Sequence, residues 1–174
     1  MGTDKAVVSF RGAPMVHHVA DALSTASLDV LIVGRHSSLA GYPAIPDLLR
    51  LGGGPAVGLL TALTHDEDAD VFLVAVDQPL LRSATITAML ELEGDAVVPM
   101  EQGHPQVTCA LYRQACRGPL QQALAGGERK LRRLLDTVAT TYVAEDTWQG
   151  WEEDGRSWLS LDTPEAVRRA EALR

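Results

Sequence analysis

Residues 69–81 read ADVFLVAVDQPLL. From Val71 to Val76 every side chain is apolar, and Asp77 closes the run. A short, continuous apolar run marks a strand covered on both faces, as in a parallel sheet between two helical layers. An aspartate at the end of such a strand sits on the sheet edge where open α/β folds bind ligands. Outward from this stretch, residues 29–34 (DVLIVG) and 95–100 (DAVVPM) repeat the pattern. Residues 106–112 (QVTCALY) alternate as an antiparallel strand does, and 138–144 and 156–162 are expected as late strands.

Between these strands lie segments of helical period. Residues 14–26 place Met15, Val16, Val19 and Leu23 on one face. A loop rich in Ser, Gly and Pro is expected over 35–47. The glycine-rich turn of residues 48–54 then runs into a helix ending near residue 65. Further helices are expected over 83–93, with Ser83 as cap, and over 113–127, with Pro119 as a point of interruption. A short basic helix over 128–137 and a final helix opened by Thr163 and Pro164 complete the pattern. Alternating strands and helices imply a three-layer α/β/α sandwich with a mostly parallel sheet. At 174 residues this is expected to be one domain, 1–174.

Charge and composition narrow the function. A net charge of −8 disfavours a nucleic-acid partner, which needs a basic face. No apolar run reaches the length of a membrane span and no secretory leader pattern opens the chain, so no membrane partner is expected. The two cysteines, Cys109 and Cys116, lack CxxC or zinc spacing and suit a reducing cytoplasm as inert residues.

Several residues offer chemistry, each beside a plainer role. Asp77 suits a hard cation such as Mg2+, or simply a turn before Gln78-Pro79. The glycines of Gly52–Gly58 let backbone amides approach an anion or a base, or form a flexible turn; the run is neither a Walker loop nor GxGxxG. Asp47 is a ligand contact or a helix cap. Lys5 is a point charge for phosphate or a solvated lysine. His104-Pro105 lies in a turn between two strands. His17 and His18 are adjacent, so they cannot form an i, i+4 metal pair. Arg129, Lys130, Arg132 and Arg133 form a solvated helix face or a dock for an anion. Asp162 ends an expected strand as Asp77 does; it shares a metal with Asp77 or belongs to the helix start at Thr163-Pro164.

Taken in order, MGTDKA (1–6), GGGPAVGL (52–59), VAVDQPLL (74–81), HPQVTCALYR (104–113) and LDTPEAV (161–167) resemble the molybdenum cofactor guanylyltransferases. That family shares the sugar-nucleotidyltransferase-like fold and joins GMP from GTP to molybdopterin, releasing pyrophosphate. The resemblance implies that Lys5 contacts phosphate, that Asp47 contacts the GTP nucleoside, and that Gly54, Pro55 and Gly58 lie near the base. It also implies that Asp77, with Asp162, binds Mg2+ and that His104 and Pro105 face the pterin. Other molybdenum-cofactor biosynthesis proteins are implied as partners.

Two departures stand out. Where many members have Asn-x-Asn-Thr-Pro, this chain has Ser160-Leu161-Asp162-Thr163-Pro164, and the asparagine that some members carry after the second strand is absent, leaving Gly34 a backbone contact. In the family a first strand leads into a loop of the form LAGGxSxRMGxDK. The chain opens inside that loop, so its first strand and the glycine-rich half of the loop are expected to be missing. The sheet is then expected to be weakened, or bridged by another segment. The alternatives are a related cytidylyltransferase, a phospholactate guanylyltransferase, or a non-catalytic binding protein.

Overall fold

The computed structural model describes residues 4–48 and 53–173; Met1–Thr3 and Gly52 of the motifs above lie outside them. Among the described residues the strands are β1 (Ser9–Phe10), β2 (Ala13–Pro14), β3 (Ile32–Val33), β4 (Ala44–Ile45), β5 (Val71–Val74), β6 (Ala96–Glu101), β7 (His104–Pro105), β8 (Cys109–Tyr112) and β9 (Thr140–Val143). The helices are α1 (Met15–Thr25), α2 (Pro55–His65), α3 (Ser83–Leu90), α4 (Arg117–Ala125), α5 (Glu145–Gln149) and α6 (Pro164–Glu171).

β8 lies between β5 and β6 and is antiparallel to both. β9 pairs parallel with β6 on its other side, and β7 folds back on the end of β6 as a hairpin. β5, β6 and β9 therefore run one way. β3 and β4 form a separate parallel pair. Asp4 pairs with Arg35, just past β3, and Lys5 with Asp77, just past β5, so both strands end on the same edge. β3, β4, β5, β6 and β9 thus share one direction and β7 and β8 run against it, a mixed sheet within the expected α/β fold.

The period of two along each strand builds the layers. Val97, Cys109 and Leu111 face α1 and α3, where they pack with Val19, Leu23, Ile86 and Met89. Ala96, Val98, Ala110 and Tyr112 face the opposite way, against Leu59 and Leu63 of α2 and Leu120 and Leu124 of α4. α6 closes one end, with Val167 and Ala170 on Phe10, Met15 and Leu161.

Local chemistry corrects several expectations. Thr163 caps α6 as foreseen, its hydroxyl accepting from Ala166 N at 3.1 Å, with Pro164 in the first turn. Ser83 is not a cap: it is the first helical residue, and Arg82 N donates instead to the Ser157 hydroxyl at 3.0 Å. Pro119 does not interrupt α4, because it falls in the first turn, where its missing N–H has no intrahelical partner to lose. The expected loop at 35–47 contains β4. Residues 131–136 form a 3-10 turn rather than an α-helix.

Residues 156–162 are not a strand. Arg156–Trp158 is a 3-10 turn entered through Gly155 at φ +84. The turn is wound around the buried carboxylate of Glu153, which accepts from Gly155 N at 2.8 Å, Ser157 N at 3.3 Å, the Ser157 hydroxyl at 2.6 Å and the Thr85 hydroxyl at 2.5 Å. These bonds replace a ladder.

β5 also departs from the expected full burial. All four of its residues are half-buried, as are both residues of β3, and no described strand pairs between them. Both cysteines are buried free thiols, Cys109 in the core under α1 and α3 and Cys116 in the core under α2 and α4. Burial pushes Cys116 up to about 12, and Cys109 higher still. Ellman's reagent is expected to leave both unreacted in the folded protein and to titrate both at once in denaturant, because the thiolate is the reactive form.

Candidate active site

The edge where the parallel strands end carries a cluster of charged side chains. Lys5 Nζ donates to Asp77 Oδ2 at 2.8 Å and also to Asp162 Oδ1. Asp77 stands there because β5 ends three residues earlier and Gln78-Pro79 turns the chain. Asp162 stands there because Leu161 N donates to the Asp77 carbonyl at 2.7 Å, which ties the two segments together. Gln78, buried to 3% exposure, makes a second tie: its Nε2 donates to Trp158 O and its Oε1 accepts from Ala75 N, each at 3.2 Å. Lys5 itself is held in a 3-10 turn capped by Asp4, whose carboxylate accepts from Ala6 N at 3.1 Å.

Two carboxylates converging on one ammonium are a competent cation site. Among the described residues no group of three or more His, Cys, Asp or Glu has metal-binding geometry. A pair of carboxylates fits Mg2+ nevertheless, since that ion keeps waters and substrate phosphates in its remaining positions. The hydrogen bonds to Asp162 and then to Asp77 raise the Lys5 pKa, and the Lys5 ammonium is the first cause holding Asp162 below the ordinary carboxylate range.

The pH dependence follows from these directions. The Asp162 contribution to stability is present above the ordinary carboxylate pKa and is lost as pH falls through the depressed folded value. The Lys5 contribution is present below the ordinary lysine pKa and is lost as pH rises through the raised one. The stability gap between the protein and a Lys5→Met variant is therefore expected to be flat from about pH 5 to about pH 9 and to close at both extremes. Urea midpoints measured across pH check this. The gap itself is small, because Lys5 and Asp162 are exposed and screened.

A second group lies beside this cluster. Asp47, Gly54, Pro55 and Gly58 line a cavity together with Asp4, Arg35 and Val76. Gly54 adopts φ +131 and starts α2, and Pro55 occupies the first helical position. The Asp47 carboxylate lies so close to two glycines that a Cβ on Gly53 would come within 3.0 Å of Oδ2, and one on Gly34 within 3.6 Å. Gly34, at φ +93, gives its N–H to Ile45 O at 2.9 Å, so that amide is already committed within the β3–β4 pair. Gly58 lets α2 approach β3, with Val33 Cγ1 3.9 Å from its Cβ position.

Residues 1–143 match the family model described as a MobA-like NTP transferase domain. The chain belongs to that family. A Deinococcus radiodurans protein named a probable molybdenum cofactor guanylyltransferase is 34% identical over 148 residues, covering 82% of this chain and 76% of its own length. A Chloroflexus aggregans protein of the same name is 26% identical over 183 residues, covering 98% and 87%. Among solved structures, molybdopterin-guanine dinucleotide biosynthesis protein A from Archaeoglobus fulgidus superposes with a TM-score of 0.83 at 23% identity, over 98% of this chain and 90% of that one. It shares the nucleotidyltransferase-like α/β fold.

In this MobA-like NTP transferase the expected residues separate into three places. Lys5, Asp77 and Asp162 converge. Asp47, Gly54, Pro55 and Gly58 gather at the adjoining cavity. His104 and Pro105 lie apart on β7, where His104 pairs with Glu101 across the hairpin past the end of β6. Because β6 and β5 are parallel, that hairpin stands on the same edge of the sheet. Arg35 and Asp4 were not singled out by sequence, although a cation directly after a strand at the ligand edge is a usable signal. Gln78 gave no signal, since its role rests on Trp158, eighty residues away.

Proposed function

We propose that the chain transfers GMP from GTP to molybdopterin, releasing pyrophosphate, and that residues 1–174 act in this as one domain. The observation that supports it most is the convergence of Lys5, Asp77 and Asp162 beside the Asp47–Gly54 cavity, in a chain of this family. Asp77 and Asp162 would hold Mg2+, which supplies charge neutralisation at phosphoryl oxygens when bound. Lys5 turns toward the phosphates and offsets the charge that builds on the non-bridging oxygens and on the leaving pyrophosphate. Asp47 and the Gly54–Gly58 turn hold the nucleoside, with Asp47 accepting hydrogen bonds. His104 and Pro105 form the pterin-facing rim.

The bond changes balance without a covalent enzyme intermediate. A terminal phosphate oxygen of the pterin attacks the α-phosphorus, and the bond from that phosphorus to the α–β bridging oxygen breaks. The chain's part is to place the two substrates and stabilise charge. We place the reaction in the cytoplasm, consistent with two free thiols and with the lack, among the described residues, of any helix long and apolar enough to cross a membrane.

Calorimetry with GTP, with and without Mg2+, followed by a pyrophosphate-release assay with molybdopterin, tests this reading. The expected result is Mg2+-dependent GTP binding and release with GTP but not with CTP. A folded sample that prefers CTP would replace the nucleotide assignment. One that binds neither nucleotide would overturn the reading.

A further inference from the structure

Trp158 is 3% exposed, and among the described residues its Nε1 is the one buried side-chain polar atom without a hydrogen-bond partner. A buried indole N–H is ordinarily paired, so an orphan beside a substrate edge points to an acceptor brought by a ligand. The neighbouring Trp148 gives the contrast. The two indoles meet edge to face at 5.1 Å, yet Trp148 Nε1 donates to Met100 O at 2.8 Å.

Gly155 marks the space beside the orphan donor. A Cβ on Gly155 would lie 3.7 Å from Trp158 Nε1 and 3.0 Å from Glu101 Oε1, so a donor and a carboxylate oxygen border the same point. Glu101 is half-buried and closes β6 on the edge where Asp77 and Asp162 stand, paired with His104 across the hairpin. The strand end is braced there, since Gln102 N donates to Glu145 Oε1 at 2.6 Å. The Trp158 carbonyl accepts from Gln78 Nε2, one residue past Asp77, so Trp158 links the Lys5 cluster to the end of β6.

An N–H donor beside a carboxylate is complementary to the 2-amino-4-oxo pyrimidine edge that pterins and guanine share. That edge presents a carbonyl, a ring N–H and an amino group in a row. A carboxylate accepts from the N–H and the amino group together, and an indole N–H donates to the carbonyl. We infer that Glu101 and Trp158 read this edge of the pterin, Glu101 at N3–H and the 2-amino group and Trp158 Nε1 at the 4-oxo group. The pterin is assigned rather than guanine because Asp47 and Gly54 line the cavity beside β3 and β5, whereas Glu101 lies on β6, beyond β8. The assignment rests on the pterin being the second substrate. Both residues set specificity and take no part in the bond changes.

The probes are 6-hydroxymethylpterin phosphate and its lumazine counterpart, in which a carbonyl replaces the 2-amino group. Each is titrated into the full chain with Mg2+ and followed by its own fluorescence, and GTP with Mg2+ is titrated separately by calorimetry. The protein is expected to bind the pterin about tenfold tighter or more, because the lumazine carbonyl sets an acceptor against a carboxylate oxygen. Glu101→Gln is expected to reverse that preference with GTP affinity unchanged, since the amide donates to the new carbonyl and still accepts from N3–H. A merely structural role would move both probes together. Trp158→Phe is expected to weaken both about fivefold, by removing the donor to the carbonyl they share. Glu101→Gln, at a half-buried strand end, carries the test if Trp158→Phe does not fold. Equal binding of the two probes, or an unreversed preference in Glu101→Gln, overturns the inference and leaves the reaction in place. Binding of GTP with Mg2+ but of neither probe overturns both the inference and the pterin as second substrate. Weakened GTP binding by Glu101→Gln, with the pterin unaffected, overturns the pterin assignment in favour of guanine.

Discussion

An Asp77→Asn variant is expected to fold and to lose on the order of a hundredfold to a thousandfold in pyrophosphate release, the range for removing one preorganised electrostatic group from a transition state. Asparagine keeps the shape of the side chain, and the backbone carbonyl that receives Leu161 N is untouched. What disappears is the charge that faces Lys5 at 2.8 Å and, in the proposed reaction, half of the carboxylate pair that holds Mg2+. Stability is expected to move by less than about 1 kcal/mol, because the Lys5 ammonium stays partly in water and retains Asp162. Steady-state rates at saturating GTP, with a thermal melt of the same sample, check both parts. A variant with unchanged rate would remove Asp77 from the machinery.

A Glu153→Leu variant is expected to lose about 3–5 kcal/mol of stability, the largest effect foreseen for a single change outside the apolar core. Glu153 is only 3% exposed, and its two oxygens receive both the Thr85 and Ser157 hydroxyls and the amides that wind the 153–158 turn. Leucine leaves all of these donors buried without a partner. The same turn presents Trp158 O to Gln78, and the segment after it delivers Asp162, so the loss is expected to reach activity as well. Urea unfolding measures the first effect. Measured well below the melting temperature, a raised KM for Mg2+ reports the second. A loss under about 1 kcal/mol would mean that water replaces the carboxylate, contrary to the closed network.

The strands at 71–74, 96–101, 109–112 and 140–143 and the helices at 15–25, 55–65 and 164–171 were legible because their signals are local. Apolar runs, helical periodicity and the Thr163-Pro164 cap act within a few residues of the groups they organise. Residues 156–162 misled for the opposite reason. RSWLSLD has strand-like composition, yet its backbone groups are claimed by Glu153 and Gln78, neither of which belongs to the segment. The ligand edge was legible in Asp77, since an apolar run ending in aspartate names the carboxyl end of a buried strand. Its pairing with Asp162 was an even choice, because eighty-five positions separate them and the ties that bring them together, Leu161 N to the Asp77 carbonyl, Gln78 to Trp158 and Lys5 between the carboxylates, all reach across the chain.

By itself, then, the sequence determined the α/β class, the direction of most strands, the two apolar faces of the sheet, and the aspartate that marks its working edge. These follow from side-chain period and local capping, which neighbouring residues decide. Only the tertiary structure decided that Lys5 bridges Asp77 and Asp162, that Asp47 nestles over Gly34 and Gly53, and that His104 stands apart. Each of these depends on which distant backbone groups are already paired, and pairing across the chain is settled by packing rather than by local order.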